Sequence, residues 1–135
     1  MINTVNPSTF VFFSRSRTDS DGIIRFRYSL EDTSNNNYYL RVLLRQTSAV
    51  RVDVRFYPDR ASLQEYDGTQ WNALDSDTGV TSSQGTWYDV VAKVEGSNVQ
   101  IWRAAPGGAM DLVLDTENAT VTATDTVMFY VPAGT

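Results

Sequence analysis

Six of the ten arginines in this chain, Arg25, Arg27, Arg41, Arg45, Arg51 and Arg55, recur at alternating positions between residues 23 and 57, while the whole sequence holds one lysine, Lys93. A guanidinium is a planar fork of donors that matches a carboxylate, sulfate or phosphate. Spaced by two along an extended chain, such groups share one side of it. The same alternation turns Tyr39, Tyr57, Trp71 and Trp102 outward. Flat aromatic faces suit the apolar faces of sugar rings and leave the hydroxyls to arginine or asparagine. Together these side chains are the candidate ligand-binding residues.

If Gln46 pairs with Val50 across the short connection at 47–49, Arg45 falls opposite Arg51 and Arg41 opposite Arg55. If Leu30 pairs with Tyr38, Arg27 falls opposite Arg41, and six arginines share one face of an acidic protein. Like charges opposite one another in a sheet are unfavourable by up to about 1 kcal/mol per pair. Such a face calls for anions. They come either from Asp53, Asp89 and loop carboxylates of the chain itself, or from an anionic glycan, an acidic protein surface or a nucleic acid. The net charge of −5 argues against the nucleic acid.

Catalytic inventories are thin. There is no histidine and no cysteine, which removes the usual general base, the usual zinc ligands and every Ser-His or Cys-His nucleophile. No phosphate-cradling loop opens a helix. The turns Asp19-Ser20-Asp21-Gly22 and Asp75-Ser76-Asp77-Thr78-Gly79 have the alternating carboxylates and trailing glycine of a calcium loop, without the closing glutamate or flanking helices of an EF-hand. Asp19 and Asp21 are the candidate metal ligands and calcium the one candidate cofactor, although Asp-Gly and Asp-Ser are also ordinary turn chemistry.

The elements that must position these groups read as strands. Alternation of apolar and polar residues marks 9–17, 23–30, 38–46 and 50–57, and two weaker strands flank Asp67-Gly68. Residues 85–104 form a hairpin around Glu95-Gly96-Ser97-Asn98, and short strands follow at 110–115 and 126–131. Short connections make 23–30, 38–46 and 50–57 a meander. Residues 1–8 read as a loop or edge lead-in. No helical periodicity of useful length occurs, so the chain is all-β, an antiparallel β-sandwich of one domain spanning 1–135.

Gly85-Thr86-Trp87-Tyr88, followed by an alternating strand, a glycine turn and a second strand, resembles the central hairpin of concanavalin A-like (laminin G-like) jelly-roll modules. The stretch 22–46, with its Asn37-Tyr38-Tyr39-Leu40 run, is similar to paired strands of the same superfamily. The resemblance implies a jelly roll whose members include lectins, glycan-binding modules and glycosidases, and whose loops often hold Ca²⁺. Glycosidases of this sandwich carry a strand of type Glu-x-Asp-x-x-Glu. Glu31, Glu65, Glu95 and Glu117 all lie in or beside turns and form no such run, so the chain is expected not to be an enzyme.

Two functions fit. One is a non-catalytic carbohydrate-binding module that uses the arginine and aromatic face. The other is a structural or interaction protein, such as a phage virion decoration or tail-fibre subunit; the closing strand usual in the family does not follow 126–131, so either the N-terminal segment fills that lane or an open sheet edge is left for pairing with other subunits. No signal peptide and no membrane-spanning apolar run are visible, so no membrane partner is expected. Both readings place the protein extracellularly or on a virion surface.

Overall fold

The computed structural model describes residues 2–6, 9–18, 21–47, 49–122 and 128–130, with side chains described from residue 21 to residue 122 within those ranges. Among the described residues eleven strands form two antiparallel sheets. The six-stranded sheet runs, in spatial order, β1 (Ile2–Asn6), β2 (Thr9–Thr18), β3 (Asp21–Leu30), β8 (Tyr88–Glu95), β9 (Asn98–Ala104), β10 (Asp111–Thr116). The five-stranded sheet runs β11 (Met128–Tyr130), β4 (Leu40–Gln46), β5 (Arg51–Phe56), β6 (Ala61–Tyr66), β7 (Trp71–Asp77). The sandwich expected from alternation is therefore present, and the polar segment 1–8 contributes a strand, β1, that pairs with β2.

The meander expected across residues 23–57 is corrected. β3 lies between β2 and β8 in one sheet, and β4 lies between β11 and β5 in the other. The segment 31–39 crosses between sheets, turned by Asp32, which accepts from Ser34 N at 2.8 Å, and Asn35, which accepts from Asn37 N at 2.8 Å. The physical reason is the core: Ile24, Phe26, Tyr28 and Leu30 of β3 face Leu40, Val42, Leu44 and Phe56 across the sandwich, all buried. Tyr28 and Phe56 pack at 4.8 Å between ring centroids, and Phe26 meets Phe56 edge-on at 6.3 Å. Stacked apolar faces remove more surface from water than the same strands side by side. The meander that does form is β4–β5–β6–β7, closed by a turn in which Asp67 N donates to Gln70 O at 3.2 Å and Gly68 takes φ 99°.

A bulge in β4 changes the side chains' direction. Leu43 pairs with Asp53 but Arg45, not Leu44, pairs with Val52, so one extra residue is inserted and the parity flips beyond it. Arg45, expected outward, is 0% exposed. Its guanidinium donates to Gly96 O, to Val121 O at 3.0 Å and to Asp21 Oδ1 at 3.0 Å. Burial pulls its pKa below the ordinary arginine value, and the Asp21 carboxylate opposes that shift. On the same inner row Glu65 is buried and accepts from Thr120 N at 2.9 Å, Thr120 Oγ1 at 2.9 Å and Val121 N at 3.2 Å. Arg45 and Glu65 thus hold the two sides of one peptide segment and close this end of the sandwich.

The other end is closed around Tyr28. Its hydroxyl lies 2.8 Å from Ser82 Oγ and accepts from Arg103 Nη1 at 2.9 Å, and its ring stacks on Tyr88 at 5.3 Å. Burial raises the Tyr28 hydroxyl to about 12, against the lowering pull of Arg103.

Candidate functional site

The outer face of the five-stranded sheet is built by three neighbouring strands. β4 sends out Arg41, with Tyr39 just before it; β5 sends out Arg51, Asp53 and Arg55, with Tyr57 just after; β6 sends out Ser62, Gln64 and Tyr66. β7 begins with Trp71. The register sets Arg41 opposite Arg55, as the spacing predicted, and Arg55 opposite Ser62. A second row runs Gln46, Arg51, Tyr66, Trp71.

Trp71 gathers the cations. The guanidinium carbons of Arg55, Arg41 and Arg51 lie 4.9, 5.3 and 5.7 Å from its ring centroid, within cation–π range. Tyr66 sits 5.4 Å from Trp71, and Arg51 is also 5.3 Å from the Tyr66 ring. Trp71 nevertheless remains 42% exposed. On the other side of Arg55, Tyr39 and Tyr57 stack at 4.6 Å, with Arg55 at 5.9 Å from the Tyr39 ring and Arg60 at 4.0 Å from the Tyr57 ring. The band from Arg51 to Tyr57 follows β5 for about 20 Å at the usual rise per residue.

Asp53 is the floor of this band. It points outward with Arg51 and Arg55, yet it is 0% exposed, because the larger side chains close over it. Its Oδ2 accepts from Arg41 Nε and from Arg55 Nη2 at 3.3 Å. Its Oδ1 lies 3.3 Å from Arg55 Nε, an ion-pair distance without hydrogen-bond geometry. Burial raises the Asp53 carboxyl above the usual carboxylate range, with Arg55 and Arg41 pulling it down. Gln64 Nε2 donates to Asp53 O at 3.4 Å, and Ser62 Oγ donates to Gln64 Oε1 at 2.8 Å. The face therefore sets three guanidiniums against one buried carboxylate, with amide and hydroxyl groups between the rings.

The structure brings together Tyr39, Arg41, Arg51, Arg55, Tyr57 and Trp71, and it separates the other expected members. Arg25, Arg27 and Trp102 lie on the outer face of the six-stranded sheet, because β3 belongs there. Arg27 pairs with Asp89 at 3.0 Å and approaches Trp87 at 5.4 Å. Trp102 belongs to an outward row of Arg25, Val91, Trp102 and Leu112. Arg45 is in the interior. The anions expected from within the chain, Asp53 and Asp89, do pair with these arginines. Tyr66, Gln64 and Ser62 belong to the face and were not singled out by the sequence, although alternation across Ala61–Tyr66 would have turned them outward.

Of the candidate calcium ligands, Asp19 lies outside the described residues, and Asp21 Oδ1 accepts from Arg45 Nη2 and from Gly96 N at 2.9 Å. In the second turn Asp77 Oδ1 accepts from Gly79 N at 2.7 Å, and Asp75 accepts from Ser76 N and Asp115 N, each at 2.8 Å. Among the described residues no group of three or more acidic, histidine or cysteine side chains is placed to hold a metal.

The class that this architecture defines is the antiparallel β-sandwich. A particular solved structure shares it: carbohydrate binding module CBM66 from Bacillus subtilis matches 97% of this chain and 93% of its own at a TM-score of 0.62 and 11% identity. At that identity the likeness establishes fold. No protein-family model and no curated protein sequence matches the chain.

Proposed function

We propose that this protein is a non-catalytic carbohydrate-binding module of concanavalin A-like type. In this reading it takes a glycan along the outer face of the five-stranded sheet and works at an extracellular or virion surface. The observation that carries the reading is the band centred on Trp71: a half-exposed indole and a stacked tyrosine pair on either side of Arg55, which lies 4.9 Å from the Trp71 ring and 5.9 Å from the Tyr39 ring, with amide and hydroxyl groups on the neighbouring strand. Rings offer stacking faces to sugars, and the polar groups take their hydroxyls. The likeness in fold to a protein named a carbohydrate-binding module supports it. The test is a glycan array followed by titration calorimetry on each hit. Trp71→Ala should weaken binding about 30-fold, the size of a central aromatic contact of about 2 kcal/mol. No hit on an array that includes neutral and acidic glycans overturns the reading.

A second reading, a structural subunit that docks on other protein chains, is favoured by one observation. The outward row on the six-stranded sheet includes Trp102 and Leu112, the latter 48% exposed, and Met110 nearby is 42% exposed. Light scattering that finds a monomer at all concentrations, with no partner captured from the source material, sinks that reading.

A further inference from the structure

Arg51 differs from its neighbours in what holds it. Arg41 and Arg55 share Asp53, Arg45 has Asp21, Arg27 has Asp89 and Arg60 has Asp59. Among the described residues no carboxylate pairs with Arg51. Its guanidinium is positioned instead by two rings, Tyr66 at 5.3 Å and Trp71 at 5.7 Å. The nearby acids are committed elsewhere: Asp67 accepts from Thr69 N, Gln70 N and Asn72 Nδ2, and Glu65 turns inward to Thr120 and Val121. Asp53 is already shared by two arginines.

Cation–π contacts restrain a guanidinium without consuming its donors, so an arginine held between two rings with no acid partner keeps its fork of donors available. The rings also exclude water from one side, which strengthens a charge pair formed there. We propose that Arg51, beside Trp71, is a carboxylate subsite and that the glycan bound by this face carries uronic acid units. The sugar ring lies against the exposed part of Trp71 and its carboxylate meets Arg51. This inference rests on the glycan-binding reading of the same face and adds the class of sugar.

The experiment measures binding of the whole chain to polygalacturonate and alginate, each against its own methyl ester, and to dextran and dextran sulfate. The polymer backbone is the same within each pair and only the charge is masked. The wild type should bind at least one free uronate tenfold or more tightly than its ester, with the preference shrinking as salt is added. Arg51→Gln should abolish that preference, while Arg25→Gln, on the other sheet, should leave it intact. Matched thermal midpoints show that each variant folds. Equal binding of acid and ester, or a preference that survives Arg51→Gln, overturns the inference while leaving glycan binding standing. So does an Arg51-dependent preference for dextran sulfate over every uronate, because the anion would then be a sulfate. Failure of every polymer, together with an empty glycan array, takes down both readings.

Discussion

Replacing Arg45 by methionine tests the bulge in β4. Were Arg45 on the outer face, as strict alternation requires, the change would alter stability by no more than about 0.5 kcal/mol. In the structure the side chain is 0% exposed and donates to Val121 O, Gly96 O and Asp21 Oδ1. Methionine keeps the length and the apolar stem but donates nothing. The Val121 carbonyl is left buried without this donor, at about 1–3 kcal/mol. Gly96 and Asp21 are exposed and recover water, and the guanidinium's own desolvation is relieved, so the net loss stays within about 1–3 kcal/mol. With an unfolding entropy of about 2.1 cal/mol/K per residue, a chain of 135 residues should lose about 4–11 °C in thermal midpoint. Calorimetry and urea unfolding of Arg45→Met beside Arg25→Met measure this, and the second variant should stay near wild type. An Arg45→Met midpoint within about 2 °C of wild type refutes both the inward direction of the side chain and the register shift that produces it.

Two further outcomes concern titration. Because burial raises the Asp53 carboxyl, the folded chain holds that proton more tightly than the unfolded one. The stability this group contributes is thus fully present below the usual carboxylate range and is lost as pH rises through the raised value. Asp53→Asn should flatten the wild-type dependence of the urea midpoint across that window, and a wild type that gains stability over the variant as pH rises there would contradict the assignment. For Tyr28, raised to about 12, stability should likewise fall as pH climbs from about 10 toward 12. Titration of phenolate absorbance should show one tyrosine, missing in Tyr28→Phe, that ionises last, and identical curves for the two proteins would count against its burial.

Alternation was enough to read most strands and the Arg41–Arg55 register, because a period of two with β-branched and aromatic residues has few other solutions. It could not say which sheet each strand joins. Residues 31–39 are polar whether they close a hairpin or cross the sandwich, and the choice is made by how β3 and β4 bury their apolar faces, a property of the whole core. The bulge left a trace, since Leu43 and Leu44 are adjacent apolar residues in an otherwise alternating run. A buried arginine next to them has no local signature. Trp71 stood at the start of the weakly patterned β7, so its place beside three arginines depended on the β5–β6–β7 register.

The bulge and the arginine-rich outer face are connected through charge. Continued alternation would have set Arg45 opposite Arg51, a like-charge pair beside the Arg41–Arg55 pair that Asp53 already has to neutralise. The inserted residue instead sets Gln46 opposite Arg51 and sends Arg45 inside, where Asp21 and two carbonyls satisfy it. Arg51 is thereby relieved of a repelling neighbour without acquiring an acid. Its charge is stabilised by Tyr66 and Trp71 from the sides, which leaves its front to the ligand proposed above. One extra residue in β4 thus supplies both the clamp that closes the sandwich and the uncommitted cation of its outer face.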